Sequence, residues 1–155
     1  MKEPGLIEPD IYQDNRGYYM PLFKDAVGVN MSFSKFGTIR GMHFQRGAYS
    51  QNKLVHVLDG TINDVILNLD DTSEVRQYYL RKGDTLFVPE NYAHGFCATS
   101  EARIIYAVDN IYYPPSEGII RWDSIGYDWH NNDPIMSEKD RNAPTLEDYL
   151  LGGRK

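Results

Sequence analysis

An all-β jelly roll is the fold class that the sequence predicts, and three observations point to it. The hydrophobic period along most of the chain is two, short β-rich runs recur at regular spacing, and Gly and Pro punctuate them. The 155 residues suit one compact domain, residues 1–155, with enough chain for a real core and too little for two. No repeat, linker or low-complexity tract divides it.

The elements follow in order. Lys53 to Leu58 leads into Asp59-Gly60, and Thr61 to Leu69 comes next. Two β-rich runs flanking Asp-Gly form the strongest short hairpin signal available, because that turn needs positive φ, so a hairpin is expected here. Asp70-Asp71-Thr72-Ser73 reads as a turn and Val75 to Leu80 as a strand. Lys82-Gly83-Asp84 turns the chain into Thr85 to Val88, which Pro89 stops. Phe96 to Thr99 and Arg103 to Val108 read as a further pair joined through Ser100-Glu101. Only the end reads as helical: Thr145, after Pro144, is a cap with the acid Asp148 three residues on.

Composition excludes several classes. A formal net charge of -6 argues against nucleic acid as the partner, although a few converging cations can still hold a phosphate. No apolar run is long enough to span a bilayer, and Met1-Lys2-Glu3-Pro4-Gly5 lacks the apolar core of a signal peptide. The single cysteine, Cys97, cannot form an internal disulfide and reads as a buried small hydrophobe. The expected location is the cytoplasm.

Gly83, Pro89 and His94 follow the second motif of the cupin barrels, with Asn91 in place of a turn glycine. Asn tolerates the left-handed conformation, so that exchange is mild. The first cupin motif supplies two histidines one residue apart and then a glutamate, all metal ligands. Here His43 is followed by Gln45, and Tyr49-Ser50 stand near the glutamate position. His43 and His94 alone make a poor metal site, so a metal-free, cupin-like jelly-roll barrel with a short C-terminal helix is expected.

A longer series of motifs runs in order along the chain: Asp14-Asn15-Arg16-Gly17, Asn30-Met31-Ser32, Arg40-Gly41-Met42-His43-Phe44-Gln45, Gln51-Asn52-Lys53 and Ala93-His94-Gly95-Phe96. Tyr106, Tyr112-Tyr113-Pro114 with Glu117, and Ser137-Glu138-Lys139-Asp140 before Ala143-Pro144 complete it. In this the chain resembles the dTDP-4-dehydrorhamnose 3,5-epimerase family, metal-independent jelly rolls acting on nucleotide sugars. Each motif is weak singly; their order is specific.

The resemblance implies an epimerase of a nucleotide-linked 4-keto-6-deoxy sugar that needs no metal or cofactor. A ketone at C4 acidifies the hydrogens at C3 and C5, because the carbanion delocalises onto oxygen as an enolate. Such a reaction needs a base on one face, an acid on the other, and a cation or donor at the ketone oxygen. Histidine suits the base, with an ordinary pKa of about 6.5. By resemblance His43 takes that role, Asp140 orients its ring, Tyr106 returns a proton from the opposite face, and Lys53 stabilises the enolate oxygen. Arg40, Ser32, Lys139 and Arg16 hold the pyrophosphate. Tyr19 and Tyr112 stack on the base or flank the sugar, and Asn30, His94 and Glu117 complete the substrate contacts. A homodimer is implied, with the N-terminal strand around Asp14–Tyr19 exchanged so that Arg16 reaches the partner's site.

Read singly, these residues have plainer explanations. Arg40-Gly41 could be a turn, Lys53 a surface strand residue, Tyr106 a core tyrosine within Ile104 to Val108, and Asp140 an exposed acid in a charged loop. His94 could cap a turn or line a pocket. His56 reads as structural and His130 as a loop residue. The chain departs from the family at Gly28, where glutamine is usual, and at Pro21, where an acid is usual; both positions help read thymidine. It also stops soon after Ala143-Pro144, which reads as trimming. The alternatives to an epimerase are a 3,4-ketoisomerase, which usually carries His-x-His where this chain has Gln45, and a non-catalytic sugar-binding cupin.

Overall fold

The computed structural model describes residues 3–152. Met1, Lys2 and the last three residues, which the single-domain reading includes, lie outside the described residues. In chain order the strands are β1 (Gly5–Leu6), β2 (Tyr12–Asp14), β3 (Gly17–Tyr19), β4 (Gly28–Ser34), β5 (Ile39–Gln45), β6 (Lys53–Asp59), β7 (Thr61–Asn68), β8 (Val75–Arg81), β9 (Thr85–Val88), β10 (Tyr92–Ala98), β11 (Ala102–Val108) and β12 (Glu117–Ile119). Two short helices follow, α1 (Glu138–Arg141) and α2 (Leu146–Leu151).

The strands form two five-stranded antiparallel sheets, in the orders β1-β9-β6-β11-β4 and β12-β5-β10-β7-β8. This is a cupin-like jelly roll, as the alternating pattern predicts. Alternation sorts each strand's residues between the two faces. Val55, Val57, Ile62, Ile66, Leu86, Phe96 and Ile104 form one core cluster, between the sheets. Val65, Leu67, Ala93, Cys97, Met42 and Phe44 point the other way and form a second cluster with Ile120, Ile125 and Trp129 of the C-terminal segment. Cys97 is a buried free thiol, as expected.

Two expected hairpins are corrected. β6 and β7 flank Asp59-Gly60 but lie in different sheets, and so do β10 and β11 on either side of Ser100-Glu101. Gly60 does have a positive φ, +79°, but the turn it makes is a corner from one sheet to the other. The two corners pack on each other. A Cβ at Gly60 would stand 2.0 Å from the Glu101 carbonyl oxygen, and the Thr61 N–H donates to Ser100 Oγ at 2.9 Å. An Asp-Gly pair supplies local turn chemistry; which strand becomes the neighbour is decided by burying two inward apolar faces against each other. The turn at 70–73 does join a hairpin, β7 to β8.

The N-terminal segment also departs from the expected lone strand. β2 and β3 pair only with each other, forming a small exposed hairpin outside both sheets, with Tyr12 and Tyr19 side by side. At the other end Thr145 caps α2 in a full capping box with Asp148. The sequence reading missed α1, whose cap is Ser137: its side chain accepts from the Asp140 N–H.

Candidate active site

A cavity of about 820 Å³ opens between the two sheets, and the residues singled out by sequence converge on it. From the first sheet come Asn30 and Ser32 of β4, Lys53 of β6 and Tyr106 of β11. From the second come Arg40 and His43 of β5, His94 of β10 and Glu117 of β12, while α1 adds Lys139 and Asp140 and the loop after β11 adds Tyr112. Arg16 and Tyr19 are not among them: both sit on the exposed β2–β3 hairpin, where Arg16 pairs with Asp14 at 2.6 Å.

Arg40 and His43 share the cavity although three positions apart on one strand, which alternation would send to opposite faces. The ladder between β5 and β10 slips within this stretch: His43 stands opposite His94, but Arg40 stands opposite Phe96. Gly41 makes the slip possible. Its φ is +123°, and a Cβ there would lie 2.5 Å from the Gly95 Cα. The glycine of Arg-Gly-Met-His is therefore a device for aiming two side chains at one space.

His43 is half-buried, and its Nε2 lies 2.7 Å from Asp140 Oδ1. The Asp140 Oδ2 accepts from the Gly41 N–H at 3.3 Å. Asp140 is buried, not exposed as its charged loop suggests. Burial alone would raise its pKa, but the hydrogen bond and charge of His43, the Gly41 N–H and the nearby Lys139 together hold it below the usual value. With Nε2 turned to the carboxylate, Nδ1 is the ring nitrogen left for a ligand.

Lys53 lies deep in the cavity, its Nζ donating to the His43 carbonyl oxygen at 3.5 Å. Burial lowers its pKa to about 8, against the opposing charges of Asp64 and Glu117. Lys139 donates to Glu117 Oε2 at 2.7 Å, and the Tyr112 hydroxyl donates to the same oxygen at 3.1 Å. The Arg40 guanidinium donates to Ser34 Oγ at 3.0 Å and to the Phe33 carbonyl at 2.9 Å. The Ser32 hydroxyl is buried without a protein partner, so a ligand in the cavity would find it free.

Three further residues were missed in the sequence. Ser34 holds Arg40. Gln45, given no role at the site by the sequence, donates to the Tyr49 and Ile111 carbonyls and accepts from the Tyr113 N–H, which secures the loop that carries Tyr112. Asp64 is fully buried, with Oδ2 2.7 Å from His94 Nε2. It had a visible signal: an acid on the inward stripe of Ile62 and Ile66. His56, by contrast, is structural, buried against Thr85 Oγ1 at 2.9 Å, and His130 is an exposed loop residue beside Asp128. Among the described residues no group of three or more His, Cys, Asp or Glu is placed to hold a metal ion.

Chemically, the cavity holds a half-buried imidazole backed by a carboxylate on one wall and a phenol on the other, with an ammonium at depth. Comparison with known proteins shows the family. Residues 1–148 match the family described as dTDP-4-dehydrorhamnose 3,5-epimerase. The dTDP-4-dehydrorhamnose 3,5-epimerase of Methanothermobacter thermautotrophicus is 39% identical over 92% of this chain and 89% of its own. Two crystal structures of enzymes of that name, each 33% identical, superpose with TM-scores of 0.83. The protein from Elizabethkingia anophelis covers 95% of this chain and 93% of its own, and that from Bacillus anthracis, with TDP and pyrophosphate bound, covers 93% and 94%.

Proposed function

The chain belongs to the dTDP-4-dehydrorhamnose 3,5-epimerase family and is an isomerase, and we propose that it inverts C3, C5 or both in a nucleotide-linked 4-keto-6-deoxy sugar. The observation that carries this reading is the placing of His43 on β5 and Tyr106 on β11, in facing sheets, so that a sugar ring lying between them meets a base on one face and an acid on the other.

In this mechanism His43 Nδ1 takes the proton from the carbon next to the ketone, and the electron pair moves onto the C4 oxygen. Asp140 holds the ring and offsets the imidazolium charge. The Lys53 ammonium stabilises the enolate oxygen. The enolate carbon then takes a proton from the Tyr106 hydroxyl on the opposite face; the phenolate is reprotonated from solvent and His43 releases its proton. Arg40, Ser32 and Lys139 hold the diphosphate, and Asn30, His94, Tyr112 and Glu117 complete the contacts to the substrate. The TDP bound to the Bacillus anthracis relative supports a thymidine nucleotide, while Gly28 and Pro21 leave the thymidine-reading pattern incomplete.

The test is solvent-deuterium incorporation at the sugar carbons, followed by NMR. Incorporation with inversion is expected, and the stereochemistry of the product separates an epimerase from a 3,4-ketoisomerase. In Tyr106→Phe, wash-out of substrate deuterium should persist while inverted product falls. No exchange with any 4-keto-6-deoxy nucleotide sugar defeats the reading, and joint loss of wash-out and product reassigns Tyr106.

The reading extends to a cytoplasmic homodimer in which the N-terminal hairpin completes the neighbour's site. Its support is that Tyr18 and Tyr19 are exposed rings and that Arg16 lies outside its own chain's cavity. Mixing Arg16→Ala with His43→Ala subunits should restore partial activity, because one crossed site in each mixed dimer is intact. No recovery after proven exchange removes the shared site.

A further inference from the structure

Asp64 is an anomaly that the mechanism above does not use. It sits on β7 at 0% exposure, on the inward stripe between Ile62 and Ile66, with Tyr78 of β8 and Phe96 of β10 as its ladder neighbours. Its Oδ2 meets His94 Nε2 at 2.7 Å, while Oδ1 is buried with no hydrogen-bond partner. A carboxylate with one polar partner is a costly occupant of an apolar stripe, and such groups occur where function needs their charge.

The surroundings indicate what that charge serves. The carboxylates whose charge acts on Lys53 are Asp64 of β7 and Glu117 of β12; His43, His94 and Tyr106 line the same cavity, and the β9 residue opposite Lys53 is Val88. Of these two carboxylates, Glu117 is already bonded to the Lys139 ammonium and to Tyr112. Among the described residues, Asp64 is hydrogen-bonded only to the imidazole of His94.

We propose that Asp64 is a positioning residue of the active site, which keeps the Lys53 ammonium charged and holds His94 with Nε2–H turned inward, so that His94 Nδ1 faces the sugar. The proposal rests on Lys53 acting at the enolate oxygen, as set out above. Its geometric basis is the Asp64–His94 hydrogen bond at 2.7 Å, with His94 and Lys53 lining the same cavity. Burial pulls Lys53 down to about 8, and the charge of Asp64 is the first of the two that resist the fall. Burial in turn raises Asp64, while the charge and hydrogen bond of His94 and the charge of Lys53 counter that rise. With a neutral residue at position 64, Lys53 would lose its proton nearer neutrality and the enolate its cation.

The experiment follows the Lys53 ammonium by NMR of the full chain labelled at lysine Cε, in the wild type, Asp64→Asn and Asp64→Ser, together with the alkaline limb of kcat/KM. Lys53 is expected to titrate near pH 8 in the wild type and about one pH unit or more lower in either folded variant, with the kcat/KM limb moving by the same amount. A variant that melts differently but leaves the Lys53 midpoint in place overturns the proposal, because that is what a merely structural role would do. So does an Asp64 carboxyl group that its carbon chemical shift shows still protonated at pH 7 in the wild type, a measurement that needs no variant. The titration uses no substrate, so its failure is distinct from failure of the epimerase reading, which the wild-type deuterium assay decides.

Discussion

His43 and His94 stand opposite one another on neighbouring strands, each with Nε2 2.7 Å from a carboxylate oxygen, yet the two carboxylates are driven in opposite directions. Asp140 sits below its usual pKa and Asp64 above it. The difference is in the company each keeps. Asp140 also takes the Gly41 N–H and lies near Lys139, which outweighs its burial. Asp64 has His94 alone on one oxygen and nothing on the other, and burial wins. One contact distance thus describes two different devices: a pair in which the charged carboxylate is well supported, and a pair in which it is held against the preference of its surroundings.

The sharpest way to break this comparison is through catalysis. His43→Ala should lower turnover by about 10²–10⁴-fold with the fold intact, as removal of a general base does. Asp140→Asn should act in the same direction but less strongly, through the orientation of the ring. Near-normal turnover in a folded His43→Ala protein would leave the Asp140 pair without a catalytic task.

Stability sharpens the contrast further, because the two carboxylates carry opposite signs. Asp140 has a lowered folded pKa, so its contribution is present above the unfolded value of about 3.9 and is lost as pH falls through the folded value. Asp64 has a raised folded pKa, so its cost is absent in acid and grows as pH rises from about 3.9 through the folded value. At pH 7 Asp140→Asn is expected to lose about 1–3 kcal/mol, as a removed buried charged hydrogen bond does. Asp64→Asn should lose nothing or gain. Both differences should shrink in urea titrations carried towards pH 3, and equal losses at pH 7 would erase the distinction.

The mildest effect belongs to the lysine between the pairs. In the free enzyme kcat/KM should fall about tenfold per pH unit above about 8, as Lys53 loses its proton. The same burial makes charged Lys53 a cost to the folded state. That cost is full below about pH 8 and disappears as pH rises towards the ordinary lysine value of about 10.4. Lys53→Met should therefore unfold at higher urea than the wild type at pH 7, with the advantage fading by pH 10.5. A constant difference across that range would place the Lys53 ammonium in water.

Much of this molecule is legible in the chain because it is local. The Lys82-Gly83-Asp84 turn and Pro89 mark the strand from Thr85 to Val88 to the residue, and Thr145 with Asp148 marks the start of the last helix. The ordered motifs pick out His43, Tyr106, Lys53 and Asp140 by their likeness to the family, and all four line one cavity. Asp64 was legible in principle, as an acid on an apolar stripe, but its partner His94 lies 30 residues away and only the sheet register joins them.

What the sequence by itself determined is therefore the period of each strand, the turns, the cap and the chemical vocabulary of the site, all set by backbone and side-chain preferences over a few residues. The tertiary structure decided the rest. It made the Asp59-Gly60 turn a corner between sheets, because two inward apolar faces bury more surface against each other than side by side. It used the slip at Gly41 to bring Arg40 and His43 to one face, and it folded an apparently exposed Asp140 onto a histidine 97 residues distant. Pairing, burial and charge state depend on which distant groups become neighbours, and no local preference encodes that.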